Sequence, residues 1–406
     1  NMPVEGGPLP GYPDVPYAQS CSMDRCMARA KEMMDWDSKY PCRDMGNGKV
    51  RGVGVAMAMQ GSSIAGVDVG GADIKLNEDG SYTLALGCTD MGTGCDTVMA
   101  QIAADCLNTP MDNIVVFSVD TDISPYDSGS YASATTYTTG VAVMKACEEL
   151  KKKICKLGAE MMEVDERKVD FDGSCVFYDE TIDISDGADR NAAGHMTDAE
   201  EGYSVDMDAI SSENAQKKVS LEDIALKSTF FNNIELQVVK QHSSPISPPP
   251  FMVGMAEVEV DTETGSVDVL DYVAVVDCGT PINPNLARVQ TEGGIAQGIG
   301  MALWEDVQYT DKGKIRNNSF MQYKIPTRQD IGNIRVDFEC SYEKSGPFGA
   351  KSIGELVIDT PCPALAEAIY NATGVRLTEL PMTPEKIAME ILKNRESTRS
   401  GTKVEE

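Results

Sequence analysis

Histidine is nearly missing from this chain: 406 residues hold two, His195 and His242. A metal centre built on imidazoles, or a triad that relies on a histidine base, is therefore not expected. Twelve cysteines are present, but no two stand as C-x-x-C, so iron–sulfur and zinc-ribbon spacings are excluded. Scattered through apolar patterns, these cysteines read instead as small hydrophobes. Long apolar runs are also lacking. Nothing approaches the roughly 18 residues of a membrane span, and the opening NMPVEGGPLPGYPDVPYAQS has no basic-then-apolar order, so a cytoplasmic location is the expectation. Basic residues are few, 35 against 64 acidic for a net charge of −29, which argues against nucleic acid or an anionic membrane as partner. Finally, no G-x-G-x-x-G follows a strand in a βαβ frame, which disfavours a dinucleotide-binding oxidoreductase.

What is present suits a sizeable core: 42% of residues are hydrophobic and 24% charged, and the length predicts two or three domains. Residues 1–48, rich in Pro and Gly around one helical stretch, read as an N-terminal arm or linker. VGVAMAM, ADIKLNEDGSYTLALG and NIVVFSVD read as strands, with NEDG as a turn. DTVMAQIAADCLN and TTGVAVMKACEELKKKICKLGAEMM have helical spacing. An acidic stretch from Asp179 to Lys218 reads as a surface excursion. FMVGMAEVEVDTETGSVDVLDYVAVVD is a strong hairpin, with DTETG as its turn. Near the end, Thr383 and Pro384 mark the cap and first position of a helix. The alternation predicts an α+β chain of mixed sheets packed with helices in two lobes, 49–220 and 221–406, with a boundary near Ser220–Pro250.

Four segments have the composition of binding loops. In GCTDMGTGCDTVMAQIA, Gly92-Thr93-Gly94 turns between a strand and a helix. Such a turn admits a ligand close to the backbone, and the helix start favours phosphate; a plain strand–helix turn explains the same residues. DSGSYASATTYTTG offers Ser128, Ser130, Ser133, Thr135 and Thr136 within nine residues, more hydroxyls than helix capping needs. In EGGIAQGIG, Gly293, Gly294, Gly298 and Gly300 thin a helix around Gln297, each costing about 1 kcal/mol relative to Ala. Either close helix packing or a ligand would offset that. In SGPFGAKSIGEL, Glu355 follows small residues, and spacing alone does not separate a solvated turn residue from a catalytic base.

Together and in this order, LGCTDMGTGCDTVMAQIAAD, PYDSGSYASATTYTTGVAV, AEVEVDTETGSVDV, VVDCGTPINPNLARVQTEGGIAQGIGMALWE and GAKSIGELVIDTPCPALAEAIYNATG resemble one family. It is the C-terminal half of the molybdopterin-binding large subunit of the molybdenum hydroxylases, the xanthine dehydrogenase and aldehyde oxidase family. The resemblance runs from about Gly52 to Asn394. It implies that Glu355 is the catalytic base and that no side chain ligates the molybdenum. It further implies that Gly92, Thr93, Gly94, Ser130, Ala132, Ser133, Thr135, Thr136, Gln297, Lys351, Ser352, Ile353 and Gly354 line the cofactor. Thr93 stands where many members carry Gln. Tyr131 stands where some purine-oxidising members carry Ala, and is expected to contact substrate.

The family's N-terminal half, with its Phe-Gly segment and substrate clamp, has no counterpart in these residues, so an N-terminal-half molybdopterin subunit is expected as partner. Split large subunits of this kind occur among anaerobic bacterial nicotinate and purine hydroxylases. The implied cofactor is molybdenum–molybdopterin in its cytosine dinucleotide form, with Fe–S clusters and FAD on partner subunits. The implied reaction is hydroxylation of an electron-poor carbon of a small aromatic heterocycle, a purine such as xanthine or nicotinate, with oxygen from water. The alternatives are an aldehyde oxidoreductase subunit and a non-catalytic structural subunit.

Overall fold

The computed structural model describes residues 19–118, 120–182, 217–231 and 235–400. Most of the expected acidic excursion, with His195, and the first part of the expected arm lie outside the described residues. Along the chain come helices α1 (Met23–Met34) and α2 (Trp36–Lys39), then strands β1 (Cys42–Gly46), β2 (Lys49–Met59), β3 (Gly70–Leu76) and β4 (Tyr82–Leu86). Helix α3 (Cys95–Cys106), strand β5 (Ile114–Ser118) and helix α4 (Gly140–Met162) follow. Strands β6 (Val169–Phe171), β7 (Cys175–Tyr178) and β8 (Lys218–Ser220) precede helix α5 (Leu221–Phe230). Strands β9 (Gln237–His242), β10 (Phe251–Asp261) and β11 (Val267–Asp277) lead to helix α6 (Pro284–Leu303), strand β12 (Asn333–Phe338) and helices α7 (Pro361–Thr373) and α8 (Pro384–Ser400).

The described residues form two compact units. One draws on Asn1–Gly61, Pro248–Tyr342 and Ile353–Glu406, the other on Ser62–Ser247 and Glu343–Ser352. This partition differs from two lobes in sequence order, and strand pairing is the reason. Early strand β2 runs antiparallel to β10, with Met59 opposite Phe251 and Lys49 opposite Asp261. The arm expected over 1–48 likewise contributes structure, since α1 and the edge strand β1 both belong to the first unit.

The first unit is built on a five-stranded sheet of order β1-β2-β10-β11-β12, antiparallel except for the parallel β11–β12 pair. Phe251, Val253 and Met255 of β10 point to one face, where Cys26, Ala30 and Met34 of α1 meet them. Met252, Ala256, Val258 and Val260 point to the other, against α6, α7 and α8. Both faces are covered, so β10 is apolar almost throughout. A bulge opposite Glu257 and Val258 adds one residue to β11. It keeps Val269 on the same face as Tyr272 and Ala274 although their spacing is odd. The hairpin turn is held by Asp261, whose Oδ1 accepts the N–H groups of Glu263 and Thr264 at 2.9 and 3.0 Å.

The second unit carries a four-stranded sheet of order β5-β4-β3-β9 and a three-stranded sheet of order β6-β7-β8. Every second residue of β3 and β4 is buried, Ala72, Ile74 and Leu76 with Tyr82, Leu84 and Leu86. The apolar face of α4, through Val143, Ala146, Leu150 and Ile154, is buried as well. All twelve cysteines are unpaired, and those on α4, Cys147 and Cys155, are buried among these hydrophobes.

Candidate functional site

In the second unit, the Gly92–Gly94 turn hangs on a residue that precedes it. Asp90 Oδ1 accepts the N–H groups of Gly92 at 2.8 Å and Gly94 at 3.1 Å. Burial pushes the Asp90 carboxyl up, but these N–H groups outweigh it and hold the carboxyl below its ordinary value. Gly92 has φ +104°, and a Cβ built there would meet nothing within 4 Å. Backbone at the mouth of α3 thus faces open space, with Gly94 capping the helix. Asp90, Cys95 and Asp96 place ligand-type atoms within 4.8 Å of one another. Asp90 is already engaged by the turn, and Asp96 Oδ2 accepts from Ser118 Oγ at 3.1 Å.

The hydroxyl-rich loop divides by role. Ser128 is structural: its Oγ accepts the Val69 N–H at 2.9 Å. Ser130 Oγ and Thr135 Oγ1 lie 2.8 Å apart, bringing two of the expected contact residues together. Between them, Ala132 and Ser133 both adopt left-handed backbone, with φ 45° and 56°. Each such non-glycine residue costs about 1–3 kcal/mol, and strain of this kind collects at functional sites. A π-turn over Thr135–Thr139 then leads into α4. Tyr131 is 61% exposed. Asp127 braces the loop, accepting from Gly129 N and Thr139 Oγ1, each at 2.9 Å, and its burial pushes its carboxyl up.

Tyr137 ties this loop to SGPFGAKS. Its hydroxyl donates to Ser345 Oγ at 2.8 Å, and Ser345 Oγ donates to the buried Glu343 at 2.6 Å. Further on, Ser352 N donates to Ser62 Oγ at 3.0 Å, and Lys351 and Ser352 are both buried. The hydroxyls of Ser63, Ser124 and Thr138 are buried in this unit with no protein partner. Such orphans call for water or a ligand. Open glycine backbone, strained hydroxyl-rich loops, two helix starts and orphaned hydroxyls fit a polar, phosphate-bearing heterocyclic cofactor.

In the first unit, α6 settles why its glycines are there. Asn283 caps it, its Oδ1 accepting from Leu286 N at 3.1 Å. A Cβ at Gly294 would collide with Val357, and one at Gly298 would sit 2.7 Å from Pro361. Those two glycines let α6 lie against the segment that follows Glu355. Gly293 differs: nothing lies within 4 Å of a Cβ there, and Gln297, one turn on, is exposed. Gln290 Nε2 of the same helix donates to Gly354 O at 3.4 Å. Ile353 and Gly354 are half-buried, and Glu355 is exposed just before a short turn, Leu356–Ile358. Its Oε2 accepts from Gln60 Nε2 at 2.5 Å. Asp359 sits one turn on, its carboxyl pushed up by burial and then by the charge of Glu355.

The residues expected to line the cofactor therefore fall on both units. Gly92 to Gly94, Ser130 to Thr136, Lys351 and Ser352 are on the second, and Gln297 and Ile353 to Glu355 on the first. Reading the sequence missed Gln60, Asp90 and Tyr137. Asp90 had a local signal, an Asp two residues before the turn glycine. Gln60 and Tyr137 had none, since their partners are remote in sequence.

A family described as the molybdopterin cofactor-binding domain matches residues 29–332. The chain is 34% identical over 380 residues to "Probable hypoxanthine oxidase XdhD" of Escherichia coli (strain K12), covering 92% of this chain and 35% of that protein. It is 28% identical over 375 residues to the xanthine dehydrogenase molybdenum-binding subunit of Escherichia coli O157:H7, covering 91% of this chain and 46% of that protein. Among solved structures, quinoline 2-oxidoreductase from Pseudomonas putida 86 superposes with a TM-score of 0.77 at 23% identity, over 92% of this chain and 46% of that one. The mixed-sheet fold is thus shared, and the chain spans less than half the length of these relatives. Its match across residues 29–332 and its identity to these proteins place the chain in the molybdopterin cofactor-binding family of the xanthine dehydrogenase-type molybdenum hydroxylases.

Proposed function

We propose that this chain is the cofactor-binding and base-bearing part of a molybdenum hydroxylase whose substrate is a small N-heteroaromatic, a purine of the xanthine type or nicotinate. When bound, the cofactor supplies a Lewis-acidic metal able to take up two electrons. The chain's own residues hold the group and move one proton. The backbone at Gly92 to Gly94 and the starts of α3 and α4 receive phosphate oxygens of a cytosine dinucleotide form. Ser130, Ser133, Thr135 and Thr136 donate and accept around the pterin, with Ala132 shaped to admit it. Gln297 contributes its amide beside the open flank at Gly293, and Lys351 to Gly354 are the cofactor-lining residues that precede Glu355 in the chain. Glu355 takes the proton that the attacking oxygen of water must lose. Tyr131, exposed next to the strained Ala132–Ser133 step, contacts the substrate ring.

The observation that carries this reading is the setting of Glu355: an exposed carboxylate held by a neutral amide donor at 2.5 Å, on a turn pinned to the helix that bears Gln297. Relatives of which this chain covers only 35% and 46% support an N-terminal-half molybdopterin subunit as partner, with Fe–S and FAD subunits carrying the electrons away. The native complex is the object to test, by metal analysis and by turnover on a panel of purines, nicotinate and aldehydes in isotopically heavy water. The reading predicts molybdenum in proportion to this chain, hydroxylation of a purine or nicotinate, and heavy oxygen in the product. A complex without molybdenum, or one that turns over aldehydes alone, would contradict it.

A further inference from the structure

The connection from α6 to β12, residues 304–332, is long for a compact unit and holds a single β-bridge, Tyr309 with Ile315. Not one of its residues is buried. Connections of this length without regular structure are uncommon, and those that persist usually carry function. Its own bonds give this one a fixed shape. Thr310 N donates to Lys314 O at 2.8 Å and Arg316 N to Gln308 O at 2.7 Å, closing a small hairpin. Tyr323 Oη donates to Glu305 Oε2 at 2.6 Å, and Pro326 packs back on α6, its Cδ 2.9 Å from where a Cβ on Gly300 would stand. Between these anchors Phe320 and Met321 are 83% and 85% exposed, more than any other large hydrophobic among the described residues. Tyr309, Ile315 and Ile325 of the same connection are exposed too.

Charge sets the connection apart as well. Lys312, Lys314, Arg316, Lys324 and Arg328 lie within residues 312–329, which hold no acidic residue, although the chain as a whole carries −29. The acids that flank this stretch are Glu305, Asp306, Asp311 and Asp330, and three of them accept hydrogen bonds from Tyr323, Gln308 and Thr327. Aromatic, Met and Arg side chains are the types enriched at protein interfaces, and a large apolar group left in water marks such a site.

We propose that this connection is the docking surface for a second polypeptide, the one carrying the part of the relatives' length that this chain does not cover. The matching face has an apolar pocket for Phe320 and Met321 and carboxylates opposite the five cations. This rests on the reading of the chain as one part of a multi-chain hydroxylase. The chain covers 35% and 46% of the two relatives, so a complex of that whole length needs a face here that receives the rest. A polyanion, whether nucleic acid or an anionic membrane, would be repelled by the remainder of a chain at −29. A second copy joined through a two-fold axis would set cations against cations. An acidic partner face meets neither obstacle, and the preset shape of the connection lowers the ordering cost of binding.

The test replaces Phe320 by photoreactive benzoyl-phenylalanine in the native complex and identifies the labelled peptide by mass spectrometry. The expected label falls on the polypeptide that matches the rest of the relatives, in a segment bearing Asp or Glu. A label on a second copy of this chain, on another subunit, on nucleic acid or on lipid, or no label at all, would overturn the proposal. Phe320→Asp and Met321→Asp alter side chains too exposed to unsettle the fold, which melting of each variant checks. In a dilution series of the complex each should weaken association about 30-fold or more, as for the loss of a central anchor. Lys314→Glu with Arg316→Glu should also weaken it and reduce its dependence on salt. Unchanged affinity in these variants would overturn the docking role. The subunit composition separates the two claims. A complex in which no polypeptide matches the rest of the relatives contradicts the multi-chain reading and the docking with it, whereas one that contains that polypeptide but is labelled elsewhere contradicts the docking surface alone.

Discussion

Adjacent glycines on α6 provide a sharp test of why that helix is thinned. At Gly294 an added methyl group runs into the Val357 side chain, with the Val357 Cβ at 3.1 Å and its carbonyl carbon at 3.3 Å. At Gly293 it meets nothing within 4 Å. Replacing a helical glycine by alanine ordinarily stabilises by about 1 kcal/mol. Gly293→Ala keeps that gain in full. Gly294→Ala sets the gain against overpacking of about 1–3 kcal/mol, for a net loss of up to about 2 kcal/mol. The two variants are thus separated by roughly 1–3 kcal/mol, or several degrees in Tm at about 2–4 °C per kcal/mol for a unit of this size. Scanning calorimetry of the native complex measures the gap. Equal shifts, or a Gly294→Ala protein more stable than native, would refute the packing argument. Because Gly293 and Gln297 share one flank, Gly293→Ala should also lower cofactor content despite its stabler fold.

Three other perturbations have definite signs. Asp90→Ala removes the acceptor that ties down Gly92 and Gly94 and costs about 1 kcal/mol at neutral pH, as for a lost helix cap. The folded Asp90 carboxyl sits below its ordinary value, so its contribution is complete above the unfolded pKa and lost as pH falls through the folded one. Urea melts at neutral pH and near pH 3 should show the gap closing, and a gap independent of pH would exclude the mechanism. Burial, then the charge of Lys145, lowers His242 to about 4 from 6.5. The unfolded chain therefore binds a proton that the fold excludes, and His242 subtracts stability as pH falls from about 7 to 4. His242→Gln should flatten the stability curve across that window, and an unchanged slope would refute it. Tyr131→Phe and Tyr131→Ala should raise substrate KM if the ring or hydroxyl touches the substrate, and unchanged values in both would remove Tyr131 from the site.

What could be read from the sequence followed the range of each signal. The β10–β11 hairpin, the NEDG turn between β3 and β4, and the start of α8 at Pro384 rest on chemistry within a few residues, and all three are where their patterns put them. The division into units was not legible, because it depends on β2 choosing β10 rather than a neighbour in sequence. The role of α1 and β1 was hidden by the Pro- and Gly-rich composition around them. The site shows the same split. Hydroxyls and glycines marked the loops, but not the left-handed Ala132–Ser133 step or the Tyr137–Ser345–Glu343 relay. The alternatives left open for EGGIAQGIG were decided only by Val357 and Pro361, far along the chain, which account for Gly294 and Gly298 but not for Gly293.

The central claim is that Glu355 is the base of a molybdenum hydroxylase, and Glu355→Gln in the native complex tests it most directly. The substitution keeps the size of the side chain and removes its capacity to take a proton. The account predicts that kcat/KM falls by roughly 10²–10⁴-fold while molybdenum content and thermal stability stay at native levels. Turnover within a few-fold of native, with molybdenum still bound, would contradict it.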